Sequence, residues 1–172
     1  MGATIVLAYQ SRTTPADVVA FAERRDFAAL SAEERRDAVD ELAARVNRLS
    51  FEQRRAPELQ RSIRDMFEQM NEQERLRYVD GVLPKGIDQL FESINAMEPE
   101  ERRALVDDTL SNMRRDLDRA TQSEIQARIE DPAFKRVLDR GMKAYLSEAS
   151  AEAKLDLEPL IHAMQSELRQ LR

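Results

Sequence analysis

A short pattern of apolar and polar positions recurs four times along the chain. An apolar residue is followed by a polar one, a Glu or Gln stands three positions beyond that, and another apolar residue comes nine or ten positions after the first. The copies begin at Leu30, Leu49, Met70 and Met97. A polar residue followed three positions later by Glu or Gln is typical of a helix start, because each side chain accepts from the other residue's free amide. The repeat therefore predicts where helices begin, and carries no chemistry of its own.

Three other positions have the features of a helix start: Thr14 before Pro15, Thr121 with Glu124, and Asp131 before Pro132. Apolar residues then recur at steps of three and four, and no segment alternates long enough to predict a strand. The starts are too unevenly spaced for a tight solenoid. We therefore predict an all-α fold, an irregular bundle or elongated array of about seven helices.

Prolines make some helix boundaries harder to predict. The apolar stripe from Leu76 to Met97 keeps its helical phase through Pro84, which favours one long helix kinked near that residue over two helices. Around Pro57 two alternatives stay open, namely a short helix that stops near Arg55 followed by a new one, or a single kinked helix. Residues 147–157 are expected to form a connection, with Pro159 beginning the last helix.

Composition narrows the class of protein. The 172 residues contain 35% charged residues, only four Gly and no Cys, which is typical of helical proteins and leaves no disulfide, thiolate zinc ligand or cysteine nucleophile. The net charge of −6 argues against nucleic acid as a partner. The expected partners are another protein or further copies of the chain.

The N-terminal segment 1–13 is expected to be separate from a single helical domain over residues 14–172. Ala3–Tyr9 is uncharged and mostly apolar, but is too short to span a membrane and lacks the basic flank of a signal peptide. Three interpretations stay open: the remnant of a membrane anchor, an arm packed on the bundle or on a second copy, and a frayed end. Membrane contact is expected only here. Localisation stays unknown, with membrane-associated or periplasmic placement favoured slightly over cytoplasmic.

Candidate site residues give no chemical motif. Five Arg-Arg pairs suggest an anion-binding surface, but four of them directly follow Glu or Gln, which favours a solvated helix face with local ion pairs. The pairs begin at Arg24, Arg35, Arg54, Arg102 and Arg114. The only histidine, His162, lies four residues after Glu158, and one such pair is at best half a metal site. The acidic pairs Asp107/Asp108 and Asp116/Asp118 lack the glycine of a calcium loop. No catalytic, cofactor-binding or metal-binding residue and no cofactor is predicted.

Methionines lie on the apolar stripes, where gap-filling in a core is favoured over a promiscuous binding groove; they are Met66, Met70, Met97, Met113 and Met142. Leu49-Ser50-Phe51-Glu52-Gln53 resembles the Leu-Thr-x-x-Gln motif of small periplasmic helical chaperone and stress proteins, with Ser in place of Thr. The resemblance implies a Cys-poor, all-helical, often dimeric cradle. A capping box explains the same residues without it.

These observations favour a non-catalytic helical interaction or scaffold protein of bacterial origin, tethered to a membrane if Ala3–Tyr9 is an anchor remnant. The alternative, drawn from the resemblance, is a periplasmic chaperone-like cradle with an exposed apolar face. An enzyme is the third and least favoured class, since one His, no Cys and four Gly leave few catalytic groups.

Overall fold

The computed structural model describes residues 13–170, apart from the side chains of Leu168 and Gln170, and within that range it has nine α-helices and no strand. The helices are α1 (Pro15–Glu23), α2 (Ala32–Val46), α3 (Phe51–Arg54), α4 (Pro57–Glu68), α5 (Glu72–Ala96), α6 (Pro99–Arg119), α7 (Gln122–Glu130), α8 (Pro132–Glu148) and α9 (Ala151–Gln170). A 3₁₀ turn, Phe27–Ala29, precedes α2. The all-α prediction is confirmed, and the predicted count of about seven helices is two too low.

The predicted helix starts are capped as their sequences require. At Ser31 the backbone amide donates to Glu34 Oε2 (2.8 Å), and the amide of Glu34 donates to Ser31 Oγ (3.3 Å). At Asn71 both bonds to Glu74 are 2.9 Å long. The same reciprocal bonds join Thr14 to Asp17, Ser50 to Gln53, and Thr121 to Glu124. Three copies of the repeat, those at Ser31, Ser50 and Asn71, are therefore capping boxes that satisfy amides left free at helix ends. In the fourth copy the amide of Glu98 donates to Glu101 Oε2 (3.2 Å).

The six prolines fall into two structural groups. Four occupy the first helical position, where the missing amide costs nothing: Pro15, Pro57, Pro99 and Pro132. Two lie inside helices, Pro84 in α5 and Pro159 in α9. Around Pro57 the structure selects the first alternative, because α3 ends at Arg54 and α4 begins at Pro57.

The prediction that α5 continues through Pro84 is confirmed. Pro84 is exposed, and so is Asp80, whose carbonyl lies four residues earlier and loses its amide partner to the proline ring. Since both residues are on the solvent side of the helix, water is able to solvate that carbonyl. A proline on this side interrupts the helix's hydrogen bonding without disturbing the apolar stripe on the other side.

The predicted connection over residues 147–157 is wrong. Helix α8 continues to Glu148 and α9 begins at Ala151, so Pro159 lies in the ninth position of α9 and does not start it. The cap is Ser150, whose Oγ accepts from the amide of Ala153 (3.1 Å). Pro159 is exposed, as is Leu155 four residues before it, which is the same arrangement that makes Pro84 tolerable in α5.

The chain forms two compact units, the first ending at Gln69 and the second beginning at Met70. The prediction of a single domain over residues 14–172 stays a prediction, because two compact units do not by themselves make two domains. The expected N-terminal segment, apart from Thr13, lies outside the described residues.

In the first unit α1 packs against α2 and α4 around a buried apolar core. Its largest fully buried side chains are Phe27, Leu42, Leu49, Leu59, Val18 and Val39. Arg35 closes one side of this core: its guanidinium lies over the Phe27 ring, 4.1 Å from the centroid, and donates to the carbonyls of Phe27 (2.8 Å) and Gln69 (3.0 Å). Arg35 therefore anchors the turn before α2 and the end of α4.

The second unit contains two pairs of consecutive helices, α5–α6 and α8–α9, each joined by a short turn and called a hairpin here. The packing is between the hairpins, α5 on α8 and α6 on α9, with α7 packed on α8. Three ion pairs join α5 to α8 or to the cap of α8, and the residue numbers of the pairs increase in the same direction along both helices. The ion pairs are Arg75 with Asp131 (3.1 Å), Asp80 with Arg136 (3.1 Å) and Asp88 with Arg140 (3.7 Å). Helices α5 and α8 are therefore parallel, and since the turns of both hairpins lie together, α6 and α9 are parallel as well.

The caps give a direct stability prediction. We expect Ser31→Ala and Asn71→Ala each to lower the free energy of unfolding by about 1 kcal/mol, because each leaves a helix-end amide without its acceptor. Urea unfolding of the full chain followed by circular dichroism measures this. Ser111→Ala, at an exposed position inside α6, is the control and should cause no loss. Equal losses in all three variants would contradict the role of the caps.

The exposed interior proline gives a second prediction. Pro84→Ala should raise the helical signal and stabilise the chain, since it restores the amide donor to the carbonyl of Asp80. The gain should stay below the roughly 3 kcal/mol that separates the two residues inside an isolated helix. Pro99→Ala, at a first helical position, is the matched control and should bring no gain. A strong destabilisation by Pro84→Ala would instead mean that the bend is needed for packing.

Candidate functional site

The start of α9 is held by a residue from the other hairpin. The side chain of Asn95, in the last turn of α5, donates to the carbonyl of Glu148 (2.9 Å) and accepts from the amide of Ser150 (2.9 Å). One side chain thus bonds the backbone on both sides of Ala149, in the turn between α8 and α9. These bonds satisfy a free helix-end carbonyl and the amide of the cap residue.

A mostly buried ion pair joins α6 to α9 beside that turn. Arg102, of which 6% is exposed, donates from Nε to Asp156 Oδ2 (2.8 Å) and from Nη1 to the carbonyl of Met97. The exposed Arg103 donates to the other oxygen of Asp156 (3.3 Å). The hydrogen bond from Arg102 holds the pKa of Asp156 below its ordinary value, so this carboxylate stays ionised near neutral pH.

Beyond these fixed ends the hairpins enclose two adjoining cavities, which together we call the groove. The first is about 430 Å³ and is lined by residues of α6, α7, α8 and α9 together with Ala120. The second is about 380 Å³ and is lined by α5, α6, α8 and α9. They share Thr109, Phe134, Leu138, Leu160 and Met164. Each volume falls within the range of ordinary ligand pockets.

The large apolar side chains of the first cavity are all half-buried. They are Met113, Leu117, Ile125, Ile129, Phe134, Leu138, Leu160 and Met164. By contrast, the second cavity has a buried floor that includes Ile87, Phe91, Ile94, Val106 and Leu157. Interior side chains of a packed bundle normally touch neighbours on every side, so the first cavity is apolar surface that the bundle itself leaves partly uncovered.

One wall of the groove is formed by α7, which carries no buried residue and packs on α8. Its Ile125 and Ile129 face the first cavity. The Thr121–Glu124 capping box, in which Glu124 Oε2 accepts from the Thr121 amide (2.7 Å) and hydroxyl (2.8 Å), sets the start of the helix. These two bonds lower the pKa of Glu124, the bond from the amide having the larger effect, and keep its carboxylate charged at the edge of the groove.

Most polar residues that line the first cavity are exposed to solvent and therefore lie at its edge. Three carboxylates line it, those of Asp116, Glu124 and Glu167, with the guanidinium of Arg128. Inside, the hydroxyl of Thr109 donates to the carbonyl of Leu105 (2.7 Å) and is thereby satisfied. An apolar floor with charges at its edge binds through burial of apolar surface, and the charges select among occupants.

The candidate pair His162 and Glu158 lies on the exposed surface of α9. His162 Nε2 lies 3.5 Å from Glu158 Oε1, and both side chains are exposed. Among the described residues no three His, Asp or Glu side chains are grouped as a metal ion requires. All four residues of the two acidic pairs are exposed, and Asp116 also lines the groove.

The Arg-Arg pairs differ from one another in the structure. Arg103 is exposed, as a solvated helix face predicts, whereas its neighbour Arg102 is buried in the ion pair with Asp156. Arg25 lies over the Phe21 ring, 3.9 Å from the centroid. The interpretation as a purely solvated face is therefore wrong for Arg102, because its long side chain reaches a carboxylate on another helix.

The methionines also divide. Met66 and Met70 are buried, in accord with the prediction of core filling. Met113 and Met142 are half-buried and line the groove. Sequence reasoning missed the groove because Met113 and Leu117 have the spacing of any core stripe. The sequence did hold one signal, an excess of apolar surface. Helices α6, α7, α8 and α9 all carry apolar stripes, and short joints restrict how the four helices pack.

Comparison with protein-family models, with curated proteins and with solved structures finds no match to this chain. Within residues 13–170, none of the helices is both long enough and apolar enough to cross a bilayer. Functional inference therefore rests on the geometry of the groove.

The Asp156 ion pair gives a pH-dependent prediction. Since folding lowers the pKa of Asp156, its stabilising contribution is complete above the unfolded-state value of about 3.9 and is lost as pH falls through the folded-state value. Asp156→Asn should therefore be less stable than the wild type at neutral pH, with the difference shrinking below about pH 4. Urea midpoints across this pH range measure the effect.

The control for this experiment is Asp139→Asn, at an exposed position of α8, which should match the wild type throughout. A deficit for Asp156→Asn that is as large in acid as at neutral pH would show that the charge of Asp156 contributes nothing to stability.

Proposed function

We propose that this chain is a non-catalytic interaction protein whose second unit binds an apolar segment of a protein partner in the groove. The observation that carries the proposal is the half-buried lining of the first cavity, exemplified by Leu117, Ile129 and Phe134. When a partner covers such a side chain, binding is favoured by about 25 cal/mol per Å² of apolar area removed from water.

The neighbouring structure supports binding by a preformed site. Asn95 and the Arg102–Asp156 pair fix the turns of both hairpins at one end of the groove. An occupant then meets walls already in place, and little of the binding free energy is spent on ordering them. This is the expected behaviour of an interaction or scaffold protein. Tethering through Ala3–Tyr9 stays a prediction, since that segment lies outside the described residues.

A chaperone-like cradle is the alternative function, and the methionines favour it. Met113, Met142 and Met164 line the groove, and flexible thioether side chains adapt to apolar surfaces of different shape. A cradle of this kind should slow the aggregation of reduced insulin, whereas an interaction protein with a single partner should not. Light scattering with and without the chain distinguishes the two functions.

The proposal is tested with a fluorescent, uncharged amphipathic peptide that carries a leucine stripe and glutamine elsewhere. Fluorescence polarisation with the full chain should give saturable binding. Leu117→Gln should weaken it about tenfold, which corresponds to about 1.4 kcal/mol, because it replaces apolar groove surface with an amide.

Leu146→Gln is the matched control for Leu117→Gln, since Leu146 is 67% exposed and lies outside the groove lining; its affinity should equal that of the wild type. The proposal fails if no saturable binding occurs, or if both glutamine variants bind as the wild type does.

A further inference from the structure

The groove has the length of a short helix. Its lining runs from Leu105 in α6 to Ala120, the residue just after α6, about 22 Å at the helical rise of about 1.5 Å per residue. Along α9 it runs from Leu157 to Glu167, about 15 Å. Three to four turns of a partner helix cover this distance. A helix bound in such a groove presents apolar residues at i, i+3, i+4 and i+7.

The edge of the groove carries net negative charge. Asp116 comes from α6, Glu124 from α7 and Glu167 from α9, so the carboxylates are contributed by three helices that surround the first cavity. Arg128 is the single cation in this lining, as far as the described side chains extend. An occupant that brings positive charge to this edge is attracted, and one that brings negative charge is repelled.

We infer that the groove binds an amphipathic helix of a protein partner whose apolar stripe is flanked by Lys or Arg. This inference rests on the proposed function and adds the secondary structure and charge of the partner. The second cavity has no charged lining residue among those described, so the apolar stripe fills both cavities and the basic flank lies against the edge of the first. An anionic amphiphile of the same length fits the apolar floor, but the carboxylates at the edge repel its negative charge.

The test uses two charged versions of the uncharged peptide, about 14 residues long, with leucine at i, i+3, i+4, i+7 and i+11. One has lysine at the polar positions and the other glutamate. With the full chain, the lysine peptide should bind at least tenfold more tightly than the glutamate peptide at low salt. The ratio should fall as salt is added, because the charges at the edge are exposed to solvent.

The double variant Asp116→Asn/Glu167→Gln removes two carboxylates and spares Glu124, which the cap of α7 requires. The double variant should bind the lysine peptide about fivefold more weakly than the wild type does, and its affinity for the uncharged peptide should be unchanged. The control is Asp139→Asn/Glu152→Gln, which makes the same change of charge at exposed positions outside the groove lining. It should leave the affinity for either peptide as in the wild type.

Several results would overturn the inference. If the uncharged peptide binds in the groove but the lysine and glutamate peptides bind equally, the proposed function stands and the basic partner does not. If laurate displaces the lysine peptide at lower concentration than the unlabelled peptide does, a lipid is the occupant. If the chain has a dimeric mass that Leu117→Gln abolishes, the occupant is a second copy.

Discussion

The second unit depends on the contacts that fix where α9 begins. Asn95 bonds the backbone on both sides of the α8–α9 turn, and Arg102 joins Asp156 to the carbonyl of Met97 in the α5–α6 turn. Both contacts link one hairpin to the other at the same end. With that end fixed, α6 packs beside α9 and both helices line the groove. A mostly buried guanidinium is costly to leave unpaired, which makes this arrangement hard to replace by a shifted one.

Local features of the fold were predictable from the sequence. The capping boxes at Ser31 and Asn71 involve residues three positions apart, so their geometry follows from the residue types alone. The continuity of α5 through Pro84 was predictable from the phase of its apolar stripe. The cap at Ser150 was not, because the methyl group of Ala153 cannot accept a hydrogen bond to complete a capping box. The backbone amide of Ser150 donates instead to Asn95, 55 positions away.

The groove was beyond sequence reasoning for a similar cause. Leu117 and Ile129 have the spacing of core residues, and their half-exposure is set by how α9 packs on α6 and α7 on α8. The sequence marks Asp116 only as one of an acidic pair and Glu124 only as a cap partner, and Glu167 carries no signal of its own. What unites the three is a common cavity edge, which exists only once the hairpins are assembled.

The parallel hairpins have a consequence for folding. The hydrogen bonds between them join residues at nearly constant sequence separation: 56 positions for Arg75–Asp131, 53 for Asn95–Glu148 and 54 for Arg102–Asp156. The first of these contacts carries the loop-closure entropy of a segment that long, and each later one closes only a short additional loop. The second hairpin should therefore dock on the first in one cooperative step. The groove then forms in the same step as the native contacts between the hairpins, and the ability to bind a partner should appear at that moment.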